Sequence, residues 1–428
     1  MDLEKFDMKP WRIGIAILIV LAIVGIVAFA LTWRSEIPAV AEDAQPDVER
    51  TLASKGYALA QLGNCASCHT AKDGKPYAGG LAMPTPFGTI YSTNITSDRD
   101  TGIGTWSEEA FARAMRKGID REGGHLYPAF PYNHFTKASD DDIHALYTFL
   151  RSVPAVRNDV SSNDLTFPFN IRPLIAGWNF LFLDTDQLEP VSDQSEQWNR
   201  GRYLVEGLTH CGACHTPRNI MGAEKSSEKY QGAMIDNWYA PPLSGDAARN
   251  WQADQLDNYL ATGFNQDHGA AAGPMAETAV NLSQAPPSDV EAIAVYIASL
   301  NDGKGQRLTP IDNQDIDVSA SAHDLWVGSC AKCHESTAEV GPSKALPLSF
   351  SGAVRQSSPA NAVRTIVNGI DAYRDMGGAY MPGFADILSN DEVAELAQYI
   401  RRRYSNEAEW SELEDVISTA RSSAKGKE

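Results

Sequence analysis

The stretch CASCH at residues 65–69 has two further copies in the chain, CGACH at 211–215 and CAKCH at 330–334. These copies contain all six cysteines of the 428-residue chain. Two thiols at this spacing lie about one helical turn apart, which suits two thioether bonds to the vinyl groups of one haem. The following histidine is then held against the iron as its proximal ligand. The spacing predicts three covalently bound haem c groups, attached at Cys65, Cys68, Cys211, Cys214, Cys330 and Cys333 and ligated by His69, His215 and His334.

Each motif lies in a similar succession of helices. A helical segment leads into the motif, a middle amphipathic segment follows it, and a closing helix ends the unit. The middle segments end in glycine and run over Phe111–Gly118, Leu256–Gly263 and Val363–Gly369. The closing helices open with a serine followed three residues later by an acidic residue, as in a capping box, at Ser139, Ser288 and Ser389. The helical periodicity predicts an all-α fold, and with the haem motifs the repeated unit resembles three tandem class I cytochrome c domains.

The N-terminal region has the features of a membrane anchor. From Ile13 to Trp33 the chain has 21 residues without a charge, enough for a helix to span the roughly 30 Å hydrocarbon core of a bilayer. Three cations precede this segment, so the positive-inside rule places the N-terminus in the cytoplasm and the haem domains in the periplasm. A cleaved signal peptide ending near Ala41 is the alternative. We expect an uncleaved single-pass anchor in a bacterial inner membrane.

These patterns divide the chain into nine segments. Short polar or apolar stretches separate the three haem domains from each other and from the N-terminus. We predict a cytoplasmic tail at 1–12, a transmembrane helix at 13–34, a linker at 35–50, cytochrome c domain 1 at 51–155, an apolar connector at 156–195, domain 2 at 196–302, a linker at 303–320, domain 3 at 321–405 and a C-terminal tail at 406–428.

Candidates for the sixth iron ligand follow from the repeat. Twelve residues beyond the glycine that ends the middle segment lie Met275 in the second unit and Met381 in the third. A methionine thioether opposite the proximal histidine raises the reduction potential and closes the iron to substrates. The equal spacing in two units favours ligation over simple filling of the core.

The first unit differs, because the same count lands on Phe130, which cannot ligate iron. We predict His134, four residues further on, as the sixth ligand of the first haem. His125, Met83 and an open, five-coordinate iron are the alternatives. Bis-histidine ligation would give this haem a lower potential than its His/Met neighbours.

Charge and composition exclude other classes. The chain has 36 Lys and Arg against 55 Asp and Glu, a net charge of -19, so binding to nucleic acid is excluded. The connector segment FPFNIRPLIAGWNFLFL at 167–183 is rich in aromatic residues but too short and too proline-rich to span a bilayer. Burial between domains 1 and 2, or contact with a lipid surface beside a quinone, would explain its composition.

Four stretches resemble one known family. They are TPFGTIYSTNIT at 85–96, the YPAFPY loop at 127–132, CHTPRN at 214–219 and FPFN at 167–170. With the three motifs, they make the chain similar to the trihaem cytochrome c subunits of bacterial membrane-bound alcohol, gluconate and aldehyde dehydrogenases. The resemblance implies electron transfer from a periplasmic dehydrogenase subunit of molybdopterin or PQQ type, with a small iron–sulfur subunit in some complexes, to ubiquinone in the membrane.

Two departures bear on the partner. Alcohol dehydrogenase cytochromes typically have methionine where this chain has Phe130, and the form with Phe130 and a nearby His134 looks more like the cytochromes of molybdenum hydroxylases for aldehydes or N-heterocycles. An uncleaved anchor also fits that branch. The resemblance therefore favours a molybdenum-type partner and an electron-transfer subunit without a catalytic site of its own. A feeder of a terminal oxidase and a haem enzyme with an open first iron are the competing hypotheses.

Overall fold

In the computed structural model the described residues are 10–41, 49–245, 248, 251–301, 309–335, 347–373 and 380–425. Helix α1, Pro10–Thr32, comes first. Crossing a bilayer takes about 20 consecutive, predominantly apolar helical residues. Within the described part of the chain, no helix combines the length and apolarity that a membrane crossing needs. The prediction of a transmembrane helix at 13–34 is therefore wrong.

The first domain is built around two long helices that flank the CASCH motif. Its elements are α2 (Arg50–Leu62), α3 (Cys65–Cys68), β1 (Ala82–Thr85), β2 (Gly88–Tyr91), α4 (Glu108–Lys117), α5 (Tyr132–Phe135) and α6 (Asp140–Ser152). The connector follows with β3 (Asp164–Leu165) and α7 (Ile175–Phe182). β1, β2 and β3 form one antiparallel sheet, so the connector adds a strand to the first domain.

The second domain repeats this plan. Its elements are α8 (Glu196–Tyr203), α9 (Gly212–His215), β4 (Ala233–Ile235), β5 (Trp238–Ala240), α10 (Ala253–Thr262), β6 (Phe264–Asn265), β7 (Gly269–Ala270), α11 (Pro274–Leu282) and α12 (Pro287–Ser299). A π-helical turn over Leu204–Leu208 joins α8 to the motif. The strands form two small antiparallel hairpins.

The named elements of the third domain's described residues are all helical. Its elements are α13 (Ala320–Leu325), α14 (Ala331–His334), α15 (Gly352–Arg355), α16 (Ala360–Asn368), α17 (Asn390–Tyr404) and α18 (Leu413–Lys425). A π-helical turn over Trp326–Cys330 precedes α14. The all-α prediction thus needs correction for the first two domains, where the loop after each motif folds back on itself as a short hairpin.

Glycines allow the leading and closing helices of the first two domains to cross in contact. A Cβ atom built on Gly56 of α2 would lie 2.0 Å from the Ala145 carbonyl oxygen of α6. At the same crossing in the second domain, a Cβ on Gly201 of α8 would lie 1.9 Å from the Ala292 oxygen of α12. Any side chain at either position would therefore separate the helices.

The hydrophobic cores show how the domains associate. Domains 1 and 2 share one continuous core, in which Leu59 and Leu62 of α2 belong to the same cluster as Leu204 and Leu208. The third domain has a separate core, and the C-terminal segment contributes to it through Trp410 and the residues of α18. The first two domains are therefore one packed unit to which the third is attached.

Candidate haem sites

The proximal histidines of the first two motifs are oriented by the backbone. His69 Nδ1 lies 2.6 Å from the carbonyl oxygen of Thr93, and His215 Nδ1 lies 2.6 Å from that of Pro241. A carbonyl only accepts, so each Nδ1 carries the proton and donates it, which leaves Nε2 with a free lone pair. This tautomer is the one that an imidazole needs to ligate iron through Nε2.

Burial acts on the same two rings. It lowers the pKa of His69 and of His215, because a charged imidazolium is poorly solvated in the interior. The hydrogen bond to the backbone opposes this effect but does not overcome it. Both rings are therefore kept neutral, as a metal ligand must be.

The cysteines are placed for attachment rather than for pairing with each other. All six are free thiols, and burial raises the pKa of Cys65 to about 12 and of Cys211 to about 11. The described residues contain no cluster of three or more His, Cys, Asp or Glu side chains that could hold a metal ion. Thiols and imidazoles in this arrangement fit covalent haem c, with the two cysteines as attachment points and the anchored histidine as proximal ligand.

The two predicted distal methionines have different surroundings. Met275 is the second residue of α11 and is partly buried against the shared core and against a smaller cluster around Ala276. Met381 pairs through its backbone with Ile370, just after the glycine that ends α16. Both residues therefore lie close to the middle helix of their own domain.

The first domain has aromatic packing at the corresponding place. Phe130 is partly buried, with its ring 5.3 Å from that of Phe135. His125 is buried and pairs with Ile119 through the backbone, while Met83 lies on β1 opposite Ile90. Phe130 therefore packs among aromatic side chains of its own domain.

His134, the predicted sixth ligand of the first haem, is directed to the second domain instead. Its Nδ1 lies 3.0 Å from the carbonyl oxygen of Glu206, and its Nε2 lies 2.8 Å from Glu224 Oε1. A Cβ on Gly212, inside the second motif, would lie 2.9 Å from the His134 ring. Both ring nitrogens face acceptors, so ligation of iron by His134 would require one of these two contacts to be given up.

We therefore expect His134→Ala to leave the spin state of every haem unchanged. Ferric absorption and electron paramagnetic resonance spectra of the purified protein would show this directly. The appearance of one high-spin haem in the variant would contradict the expectation and return His134 to the ligand set. His125→Ala, measured in parallel, tests the alternative histidine ligand in the same way.

Three groups that shape these sites have no signal in the sequence. The Thr93 and Pro241 acceptors are backbone carbonyls, whose position depends on the loop conformation and not on residue type. Glu224 comes nine residues after His215 in a loop without a recognisable motif, and its role depends on a histidine from another domain. Burial raises the pKa of Glu224, but the hydrogen bond and charge of His134 outweigh burial, and the net shift is downward.

The first and second motifs face each other across the contact between the domains. Asn281 of α11 donates from Nδ2 to Asn64 Oδ1 and to Ser67 Oγ, both at 2.8 Å, so α11 contacts the first motif directly. The Cys214 thiol is close enough to contribute to the raised pKa of Cys68, after burial. The two attachment loops therefore meet at one interface, which suits transfer of electrons between their haems.

His210 lies in this interface, directly before the second motif. Its Nε2 lies 3.2 Å from the carbonyl oxygen of Gly63, which directly precedes Asn64 and the first motif. Burial, followed by the positive charge of His134, lowers the pKa of His210 from 6.5 to about 4. His210 is therefore a neutral hydrogen-bond donor between the domains.

Stability should fall as the pH is lowered from 6.5 towards 4. In this window the unfolded chain binds a proton at His210 and the folded protein does not, so unfolding is favoured by up to about 3 kcal/mol. Urea unfolding of the protein at several pH values measures the slope. His210→Gln keeps a donor but cannot titrate, and its slope should be shallower. Equal slopes for the two proteins would show that other groups cause the acid sensitivity.

Comparisons with known proteins agree with this geometry. The cytochrome c family model matches residues 53–154, and the model of cytochrome c oxidase, cbb3-type, subunit III matches residues 319–400. A nicotinate dehydrogenase subunit of Pseudomonas putida is 47% identical over 396 residues, which are 90% of this chain and 33% of that protein. The chain thus spans about a third of the length of that relative.

Two other relatives are matched over most of their own length. The gluconate 2-dehydrogenase cytochrome c subunit of Pantoea cypripedii is 35% identical over 396 residues, 86% of this chain and 89% of that protein. A dihaem cytochrome c-type protein of Cereibacter sphaeroides is 38% identical over 251 residues, 57% of this chain and 84% of that protein. With its anchored histidines and CxxCH motifs, the chain therefore belongs to the family of cytochrome c subunits of dehydrogenase complexes, electron-transfer proteins whose cytochrome c domains bind haem c covalently.

Proposed function

We propose that this chain accepts electrons from a catalytic dehydrogenase subunit and passes them through three haem c groups to ubiquinone. The observation that carries the proposal is the contact between the first two attachment loops, where His210 lies 3.2 Å from the Gly63 carbonyl oxygen, with an anchored proximal histidine in each motif. The haems supply the redox chemistry, and the chain sets their ligation, burial and spacing.

The number of haems follows from the three complete motifs, of which the third lies on α14 at the edge of its own core. A pyridine haemochrome assay set against protein concentration should give three haems per chain. Cys330→Ala with Cys333→Ala should reduce this to two and leave the first two domains folded, since their core is separate. A value of two in the unchanged protein would remove the third haem from the proposal.

For the partner, we favour a molybdenum-type dehydrogenase acting on an N-heterocycle or an aldehyde. Two observations support it: Phe130 in place of a distal methionine, and the 47% identity to the nicotinate dehydrogenase subunit. The relatives named for gluconate, fructose and alcohol dehydrogenases support a quinoprotein-type partner instead. The complex can be purified by capturing this chain. Identification of the co-purified subunits and a metal assay then distinguish a molybdenum-type from a quinoprotein-type partner.

Substrate-driven reduction of the haems gives an independent test. Nicotinate or an aldehyde should reduce the haems of the purified complex, while gluconate, fructose and ethanol should not. Reduction by one of the last three alone would assign the quinoprotein-type partner. Co-purification with an oxidase and no dehydrogenase would favour the feeder of a terminal oxidase, which the family match of the third domain supports.

Ubiquinone as the acceptor is supported by the exposed apolar side chains of the connector. Trp178 is buried against Tyr132, but Phe167 and Phe180 are 79% and 81% exposed, and Leu181 is exposed beside them. An apolar surface of this kind suits contact with a lipid or with a lipid-soluble quinone. The complex should reduce a ubiquinone analogue with turnover at least matching that with a water-soluble acceptor. Reduction of the soluble acceptor alone would contradict this assignment.

A further inference from the structure

The third domain inserts a tyrosine into the second domain beside Met275. Tyr373 is only 1% exposed, and its hydroxyl donates a hydrogen bond of 3.2 Å to the carbonyl oxygen of Ala276, the residue after Met275. Its ring belongs to a cluster with Ala271 and Ala279 of the second domain, against which Met275 is packed. The side chain that covers this part of α11 is thus supplied by another domain.

The first domain shows that this tyrosine occupies a recurring position. A Cβ atom on Gly263, which ends α10 with φ +70, would lie 2.1 Å from Tyr373 Cζ. A Cβ on Gly118, which ends α4 with φ +58, would lie 2.5 Å from Tyr132 Cε1. In both domains a tyrosine ring packs on the glycine after the middle helix. The first domain provides its own ring, whereas the second depends on the third.

A second contact from the third domain supports the start of α11. The Arg364 guanidinium lies 5.4 Å from the centroid of the Trp238 ring, and Arg364 Nε donates to the Asn237 carbonyl oxygen at 2.8 Å. A Cβ on Gly273, two residues before Met275, would lie 2.3 Å from Trp238 Cε2. The start of α11 is therefore held by Tyr373 on one side and, through Trp238, by Arg364.

Tyr373 also belongs to the distal region of its own domain. It follows Ile370, whose backbone pairs with Met381 by two hydrogen bonds of 2.8 and 2.9 Å. The segment that presents Met381 to the third haem site therefore also carries the ring that packs beside Met275. Burial raises the pKa of Tyr373 well above its usual range, so the hydroxyl remains a donor at all relevant pH values.

From these contacts we propose that Tyr373 is a positioning residue for the second haem: it holds Met275 in place for ligation, so that docking of the third domain sets the reduction potential of the second haem. This inference rests on the proposed ligation by Met275. A loosely held thioether is lost more easily from ferric iron, and loss of His/Met ligation lowers the reduction potential.

The test compares Tyr373→Ala, Tyr373→Leu and Tyr373→Phe with Met275→Ala in the full-length protein. The readouts are the long-wavelength absorption band of methionine bound to ferric iron and a redox titration. Tyr373→Ala should lose the same fraction of the band's intensity as Met275→Ala, and the reduction potential of one haem should fall. Tyr373→Phe keeps the ring and should retain most of the band. Ile387→Ala, at a position 71% exposed on the same domain, should change neither readout.

The double variant Tyr373→Ala with Met275→Ala identifies the haem concerned. If Tyr373 acts through Met275, the double variant loses no more of the band than Met275→Ala alone. A further loss would assign Tyr373 to the haem of Met381 and overturn the proposal, as would a full band in Tyr373→Ala. If Tyr373→Ala does not fold, Tyr373→Leu, which keeps apolar volume, carries the same test. An unchanged band in Met275→Ala would refute the ligation itself, and with it the inference.

Discussion

Gly201→Ala should destabilise the second domain by about 3 kcal/mol, because one added methyl group cannot be accommodated at the crossing of α8 and α12. The new Cβ would lie 1.9 Å from the Ala292 oxygen and 2.8 Å from Tyr296 Cβ. These atoms belong to the backbone of α12 or to a Cβ fixed to it, so the helices must move apart. That movement would also separate Trp198 from Tyr296, whose rings are 5.1 Å apart.

Thermal unfolding of the haem-loaded protein, followed at a haem band, measures the loss. Gly177→Ala is the matched control, because Gly177 also lies in a helix, α7, and nothing lies within 4 Å of a Cβ there. Alanine has the higher helix propensity, so the control should be neutral or slightly stabilising. Equal unfolding temperatures for Gly201→Ala and the unchanged protein would show that the crossing has room for a side chain.

Local signals in the sequence predicted the helices and their ends well. Gly118, Gly263 and Gly369, the glycines predicted to end the middle segments, all follow their helices directly and have positive φ, as glycine C-caps often do. Ser139 and Ser389 cap the closing helices as predicted. The prediction for Ser288 was wrong, because α12 already begins at Pro287, and proline at a first helical position starts the helix one residue earlier.

Features that depend on contacts between domains could not be predicted in this way. Counting along the chain placed His134 on the distal loop of the first domain, but its partners lie 72 and 90 residues away in the second. The connector is likewise divided, with Trp178 buried and Phe180 exposed, so neither predicted environment describes it fully. Periodicity identifies which face of an element is apolar, not which neighbour covers it.

The segments before and after the haem repeat of the third domain also have contacts that periodicity did not predict. The segment from residue 406 was predicted only as a C-terminal tail. The structure buries Trp410 at 5% exposure and Ile417 completely, and α18 packs on α16. Residues 309–319 before the domain have no regular secondary structure, and Asn313 is hydrogen-bonded to the backbone of α17. The third domain is therefore larger than its haem repeat alone.

Glu224→Ala should cost about 3 kcal/mol, because it removes the buried acceptor of a hydrogen bond from His134 and leaves that ring nitrogen without a partner. The Glu224 and His134 side chains are only 16% and 8% exposed, and the other His134 ring nitrogen, Nδ1, lies 3.0 Å from the Glu206 carbonyl oxygen. Truncation leaves His134 Nε2 without its acceptor in the interface between the first two domains. Glu224→Gln keeps an acceptor oxygen and should lose less.

Glu228→Ala is the control, since the Glu228 pair with Lys225 is 46% and 40% exposed and such pairs contribute at most about 1 kcal/mol. Because the pKa of Glu224 is lowered in the folded protein, its contribution is present above the unfolded pKa and disappears as the pH falls through the folded value. The difference between the Glu224 variant and the unchanged protein should therefore be large at neutral pH and shrink in acid. Urea unfolding of both proteins at neutral pH and at acid pH measures this difference. A loss of the same size for Glu224→Ala and Glu228→Ala at neutral pH would mean that the buried pair does not hold the two haem domains together.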